Sequence, residues 1–179
     1  MASGFAEATG ADDPEALALA NALGKARDVA ERAGIPPGGA VLGADTVVAL
    51  DDRALGKPKS RAEAGEMLAQ LGGRGHVVLT GVCLITARGE LADCDRTLVR
   101  FRRLPDAARE WYLDTGEWRE RAGGYAIQGA GMALVERIEG DHSTVVGLPV
   151  GRLVGMLTVL GLGPWGPAAE SGPPVTEAS

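Results

Sequence analysis

Apolar positions along this chain switch between a helical and a strand period, and the switches divide it into elements. The first twelve residues carry neither period. Asp13-Pro14-Glu15 then has the makings of a helix start. Asp can cap, Pro has no N–H to waste in the first turn, and an acid suits the positive helix end. Leu19, Leu23, Ala26, Ala30 and Ala33 follow at helical spacing and predict one core face, with Lys25 off it. Gly34 and Pro36-Pro37 end the helix. Val41 to Leu50 is almost wholly apolar, as in a strand covered on both faces, and Asp45 interrupts it. A turn at Asp51-Asp52 and a loop at Gly56-Lys57-Pro58-Lys59 follow. Ser60 and Glu63 form a capping box for a second helix, which runs to Leu71 and stops at Gly72-Gly73.

His76 to Thr86 reads as a second apolar strand. Leu91 to Leu104 reads as a third, with Thr97, Val99 and Phe101 alternating against Leu98, Arg100 and Arg102. Pro105-Asp106 opens a short helix through Trp111 and Leu113 that closes near Gly116. Tyr125 to Gly129 and Met132 to Ile138 read as two short strands, Gly140 to Thr144 as a polar turn, and Leu148 to Leu160 as a last apolar helix. Helices and strands alternate early and strands cluster later. That order predicts an α/β domain with a central mixed sheet and flanking helices, not a pure parallel one. The domain is expected to span residues 1–162. Residues 163–179 are rich in Gly, Pro and Ala and are expected to form a disordered tail.

The length of 179 residues suits one domain. With 45% hydrophobic but only 4% aromatic residues, Ala, Val and Leu must fill the core. A net charge of −6 argues against a nucleic-acid polymer as partner, yet a small phosphate ligand needs only a few local cations. No apolar run approaches the roughly 18 residues of a membrane helix. The N-terminus lacks the basic-then-apolar pattern of a signal peptide, so a cytoplasmic protein without a membrane partner is expected. Cys83 and Cys94 have no metal-type spacing. A hairpin turning at Arg88-Gly89 would set them opposite each other, and they are expected to stay reduced.

Asp45 has two readings. A carboxylate in an apolar strand is costly unless it is paired or bound to a metal. It can cap a neighbouring helix, or it can be a metal ligand or general base. Lys57, between Gly56 and Pro58, reads as a solvated loop lysine or a phosphate ligand, and Lys25 has the same two readings. Gln128 lies in the glycine-flanked segment Gly124 to Gly129. Its amide can read a base edge or bond local backbone. His142 has no Cys or His at ligand spacing, so a zinc site is not expected.

In their order these segments resemble the Maf family of nucleotide pyrophosphatases. The resemblance is carried by Gly43-Ala44-Asp45-Thr46-Val47-Val48, Leu55-Gly56-Lys57-Pro58, Gly73-Arg74-Gly75-His76 and Thr80-Gly81-Val82. It continues through Arg121 to Gly129, Val135 to Asp141 and Ser143 to Pro149. It covers about Leu17 to Leu160. The resemblance implies an α/β fold with two lobes around a cleft. It implies a hydrolase acting on acid anhydrides, which attacks a nucleoside triphosphate at the α-phosphorus and releases pyrophosphate with a divalent cation, Mg2+ or Mn2+. By the same resemblance Asp45 is the proton acceptor. Lys25, Thr46, Lys57 and Gln128 contact substrate, Thr46 and Gln128 marking the branch that takes dTTP and UTP. Asp45 and Glu7 hold the metal. A homodimer is a further implication.

The family's opening Ser-x-Ser-Pro-Arg-Arg loop, which grips the triphosphate, has no counterpart in this sequence. Ala6 stands where a first acid is expected before Glu7, and Thr144 where Asn is usual. Three readings follow: an enzyme whose opening segment lies upstream, a catalytically impaired nucleotide-binding or regulatory protein, or an enzyme shifted toward CTP or a modified uridine triphosphate.

Overall fold

Asp13 caps α1 (Pro14–Ala33) by accepting the backbone N–H groups of Glu15 and Ala16, so the expected helix start is the observed one. The computed structural model describes residues 2–8 and 13–163. The chain then forms β1 (Ala40–Leu50), β2 (Arg53–Leu55), α2 (Arg61–Leu71), β3 (Gly75–Thr86), β4 (Gly89–Phe101) and α3 (Asp106–Thr115). Two 3-10 turns, Ala122–Gly124 and Gly129–Leu134, precede β5 (Val135–Glu139), α4 (His142–Val146) and α5 (Val150–Val159). No described helix is long and apolar enough to cross a membrane.

The five strands form one sheet in the order β2-β1-β3-β4-β5. The α/β class stands, with helices on both faces, but every pairing among the described residues is antiparallel where a mixed sheet was expected. The cause is local. Asp51 and Asp52 both take positive φ (50° and 61°), the conformation of a two-residue hairpin, and fold β2 back on β1. A second tight turn joins β3 to β4. Because β2 covers β1 only from Val48 to Leu50, residues 40–47 of β1 form an edge on that side among the described residues.

α1 covers one face of the sheet. Its buried stripe is Leu17, Ala18, Asn21, Ala22 and Ala26, rotated from the expected one; Ala33 is exposed. The rotation follows from close approach. A Cβ on Gly43 would lie 2.2 Å from the Ala22 carbonyl oxygen, and one on Gly81 2.4 Å from that of Ala18. Small residues on both partners seat the helix directly on the strands. The other face is filled by Val48, Leu50, Val78, Val99 and Phe101 under α2 and α3, with Tyr112, Trp118 and Tyr125. Its far end is covered by Leu153, Met156 and Leu157 of α5.

Several boundaries differ from expectation. Tyr125 to Gly129 is not a strand: Gly123, Gly124 and Gly129 all take positive φ, and the Ala126 N–H is claimed by the Tyr112 hydroxyl at 3.0 Å. The next strand begins at Val135, after a 3-10 turn, not at Met132. β4 ends at Phe101, three residues early, because Pro105 already directs the chain into α3. The expected last helix starts at Val150, after Pro149, and the extra helix α4, capped by Asp141, overlaps the polar turn expected before it. Cys83 pairs with Ala92 and Cys94 with Gly81, so the two cysteines are not opposite each other; both are free. The turn falls at Ala87-Arg88 and moves the register by two residues. The expected tail lies outside the described residues from 164 onward.

Candidate active site

Successive strand residues face opposite ways, so Asp45 points toward α1 and Thr46 toward the other layer. Asp45 is buried, 9% exposed. Lys25 Nζ meets its Oδ1 at 2.6 Å, and Asn21 Nδ2 meets its Oδ2 at 3.0 Å. Asn21 and Lys25 are one turn apart on α1 and share a face. The close helix contact at Gly43 and Gly81 is what brings them within reach.

Residues 2–8 lie along the same helix. Ser3 Oγ and the Gly4 N–H donate to Asp28, and the Phe5 ring occupies space that a Cβ on Gly24 would need. The Ala8 N–H donates to Asn21 Oδ1, and Asn21 Nδ2 returns a bond to the Ala8 carbonyl. Glu7 is thereby held 2.6 Å from Lys25 Nζ and 3.1 Å from Lys57 Nζ. Lys57 arrives on the loop after β2, tied to the opposite wall because the Gly123 N–H donates to the Gly56 carbonyl at 3.1 Å. Lys57, Glu7, Lys25 and Asp45 thus alternate in sign along one line. For Lys25, burial is the largest single influence and opposes the charge. The bonds to Asp45 and Glu7 together outweigh it and raise the ammonium pKa. The bond from Lys25 is the main reason that the Glu7 carboxyl is held below its ordinary range, against burial and with help from Lys57.

These residues line one end of a cleft of about 660 Å³. Thr46 and Gln128 line the same cleft, so all six positions expected from the sequence converge on it. Gln128 stands exposed just before the second 3-10 turn, whose Ala130 and Gly131 N–H groups are held by Glu117 at 3.1 and 3.3 Å. Arg119 and Arg121 line the facing wall and make no ion pair among the described residues. Behind that wall Tyr125 bonds His76 Nε2 at 2.8 Å, and both pack edge-on against Phe101. Burial pushes the His76 pKa down to about 4.

Some of these residues carry no signal in the apolar pattern. Asn21 sits among alanines and reads as a helix surface residue until the helix face is known. Thr80 is fully buried and reads as a β-branched core residue, yet its hydroxyl meets that of Thr46 at 2.9 Å. Arg119 and Arg121 lie in a charged stretch with no period. Arg121 opens the segment Arg121 to Gly129 that carries the resemblance, and Trp118-Arg119-Glu120 just before it was the clue to Arg119.

Hard divalent cations take oxygen donors and often leave places for phosphate oxygens. Glu7 and Asp45 supply two carboxylates that touch one ammonium, so their oxygens are close. Among the described residues no group of three or more His, Cys, Asp or Glu side chains converges. The pair therefore suits an ion that arrives with phosphate, not one caged by protein.

Residues 1–160 match the Maf family, described as Maf-like protein. The chain is 50% identical over 151 residues to a dTTP/UTP pyrophosphatase of Symbiobacterium thermophilum, covering 84% of this chain and 76% of that protein. It is 47% identical over 138 residues to a dTTP/UTP pyrophosphatase of Pyrococcus furiosus, covering 77% and 71%. It is 43% identical over 166 residues to one of Deinococcus radiodurans, covering 93% and 84%. A match over nearly the whole chain, joined to a cleft where the motif residues meet, places this protein in the Maf family.

Proposed function

We propose that this chain hydrolyses dTTP and UTP to the monophosphate and pyrophosphate in the cleft above β1. The observation that carries the reading is the line Lys57, Glu7, Lys25, Asp45 at one end of a cleft whose other lining includes Thr46 and Gln128. One end is built of charge and suits phosphates. Thr46 and Gln128, which line the same cleft, offer neutral hydrogen-bonding groups that suit a base, with Arg119 and Arg121 on the facing wall. The relatives named dTTP/UTP pyrophosphatase support the same substrate class.

In this mechanism a water oxygen attacks the α-phosphorus. The bond from that phosphorus to the bridging oxygen breaks, and pyrophosphate leaves. Asp45 takes the water proton, with Asn21 and Lys25 fixing its two oxygens. Lys25 and Lys57 face the phosphates and stabilise the charge that grows on them. Glu7 and Asp45 would hold Mg2+ or Mn2+, which when bound would withdraw charge from the phosphate oxygens. Gln128 and Thr46 meet the base. The alternative, a catalytically impaired nucleotide-binding protein, predicts nucleotide affinity and no product.

The test is pyrophosphate release from dTTP, UTP, CTP, ATP and GTP, with magnesium, with manganese, and with a chelator in place of metal. Release from dTTP and UTP that the chelator stops is the expected result. Tight nucleotide binding by the folded protein without release from any substrate would rule the enzyme out in favour of the binding protein.

A further inference from the structure

Thr46 and Thr80 are direct partners across β1 and β3, on the face away from α1. Their hydroxyl oxygens lie 2.9 Å apart, a distance at which either could donate. The next bond along decides which one does. Thr80 Oγ1 lies 2.8 Å from the Thr144 carbonyl oxygen. A carbonyl only accepts, and a hydroxyl has one proton. The Thr80 proton is therefore committed to Thr144, and the proton between the two threonines belongs to Thr46.

The surroundings lock this direction. The Thr144 carbonyl also accepts the Gly147 N–H at 3.1 Å, so both its lone pairs are used. The Thr144 hydroxyl donates to Asp95, which Arg152 holds at 3.2 Å. Thr80 and Thr144 are both fully buried, so no water competes for these groups. Thr46 is left with acceptor capacity alone toward the cleft it lines. Gly147 keeps that oxygen approachable: a Cβ there would already stand 3.4 Å from Thr46 Oγ1.

We propose that Thr80 is a specificity-determining positioning residue, which makes Thr46 an obligate acceptor for the ring N3–H of thymine or uracil. Cytosine carries a lone pair at N3 and offers no hydrogen there, so an acceptor-only Thr46 opposes it. The inference rests on the reading above that Thr46 meets the base.

The experiment measures kcat/KM for dTTP, UTP and CTP with the full chain and with Thr46→Val, Thr80→Val and Thr80→Ser. Thr80→Val removes the acceptor and frees the Thr46 proton to turn into the cleft. The dTTP:CTP ratio is expected to fall about tenfold, with the change carried by KM. Thr80→Ser keeps the hydroxyl and is expected to hold the wild-type ratio, which a loss of packing alone would not predict. A folded Thr80→Val that keeps the ratio while Thr46→Val collapses it overturns the proton wiring but leaves Thr46 on the base. If Thr46→Val itself keeps the ratio, the base-reading role fails and the wiring fails with it. A substrate test needs no folded variant: N3-methyl-dTTP lacks the hydrogen, and wild-type kcat/KM for it is expected to drop about tenfold or more. Equal turnover of dTTP and its N3-methyl form would overturn the proposal.

Discussion

Asp45 and Thr46 are neighbours in sequence, yet they belong to different physical environments. Asp45 faces α1, where alanines and glycines bring backbones together and two lysines meet two carboxylates. Thr46 faces the layer of aromatics and threonines, where its hydroxyl meets that of Thr80 and the Thr80 proton goes to the Thr144 carbonyl. The two-residue period of one strand therefore divides the labour of its own residues: the paired charges at Asp45 on one face, hydrogen-bond direction at Thr46 on the other. Such a division lets phosphate chemistry and base recognition vary separately. The predictions that follow test whether the two faces are as independent as this arrangement implies.

The largest effect is expected on the charged face. Asp45→Asn keeps the volume and an oxygen for Lys25 or Asn21, so the fold should hold. It removes the proton acceptor, and kcat is expected to fall by about 10²- to 10⁴-fold. The dTTP:CTP preference of the residual activity should be unchanged, because Thr46 keeps its own partners. Near-normal kcat in the variant would remove Asp45 from the role of base. A changed preference would show that the faces are coupled.

The next effect separates the faces by pH. His76 lies in the aromatic layer, and burial holds its pKa at about 4 against an ordinary 6.5. Between those values the unfolded chain binds a proton that the folded chain does not. Stability therefore falls as pH drops from about 6.5 toward 4, by on the order of 3 kcal/mol in all. Glu7, on the charged face, is depressed from 4.5, so its contribution is present above 4.5 and is lost only as pH falls below it. The interval from 4.5 to 6.5 thus reports His76 separately from Glu7. Denaturant unfolding across that interval should slope for the wild type and flatten in His76→Gln. A flat wild-type profile would mean that the aromatic layer does not pay this protonation penalty.

The same division explains what was legible in the sequence. Apolar period and capping residues gave α1, β1, α2 and β3 closely, because local chemistry decides them: the Asp13 and Ser60 caps and the continuous apolar runs act over a few residues. The ordered motifs carried the positions that line the cleft. What could not be read depends on non-local geometry. The buried stripe of α1 is set by how near Gly43 and Gly81 let it come, and periodicity alone cannot give that rotation. Thr80 looks like any β-branched strand residue until β1 is laid beside β3 in register. Asn21 acquires meaning only once Asp45 and Ala8 are seen on either side of it. The glycines near Gln128 were visible, but the positive φ they take, which bends that segment out of a strand, was not.

Gly43→Ala tests the close contact directly. The new Cβ would meet backbone atoms of α1 at 2.2 and 2.8 Å, which cannot rotate away as a side chain can. The helix must lift, at about 1–3 kcal/mol of stability. Because Asn21 and Lys25 ride on that helix, kcat is expected to fall with the stability. The dTTP:CTP ratio should persist, since Thr46 does not contact α1. Thermal unfolding and kinetics on the same preparation check both halves. An unshifted melting temperature would show that the close approach contributes nothing to positioning.

The smallest effect asks whether the far wall shares the work of charge. Lys25 and Lys57 are balanced by Glu7 and Asp45, so the four groups sum to zero. A triphosphate carries several negative charges, and even a divalent ion leaves some uncompensated. Arg121 lines the cleft without an ion pair among the described residues, on a segment whose Gly123 N–H is tied to the Lys57 loop. Arg121→Ala is therefore expected to raise KM for dTTP about tenfold while kcat changes less, the pattern of a lost charge-assisted bond to a phosphate that is bound equally in both states. Arg121→Lys should recover part of the loss. The effect should be the same for dTTP, UTP and CTP, because a phosphate contact does not see the base. A KM that rises for one base alone would assign Arg121 to base recognition. An unchanged KM for all three would leave phosphate binding to the α1 side of the cleft and the metal.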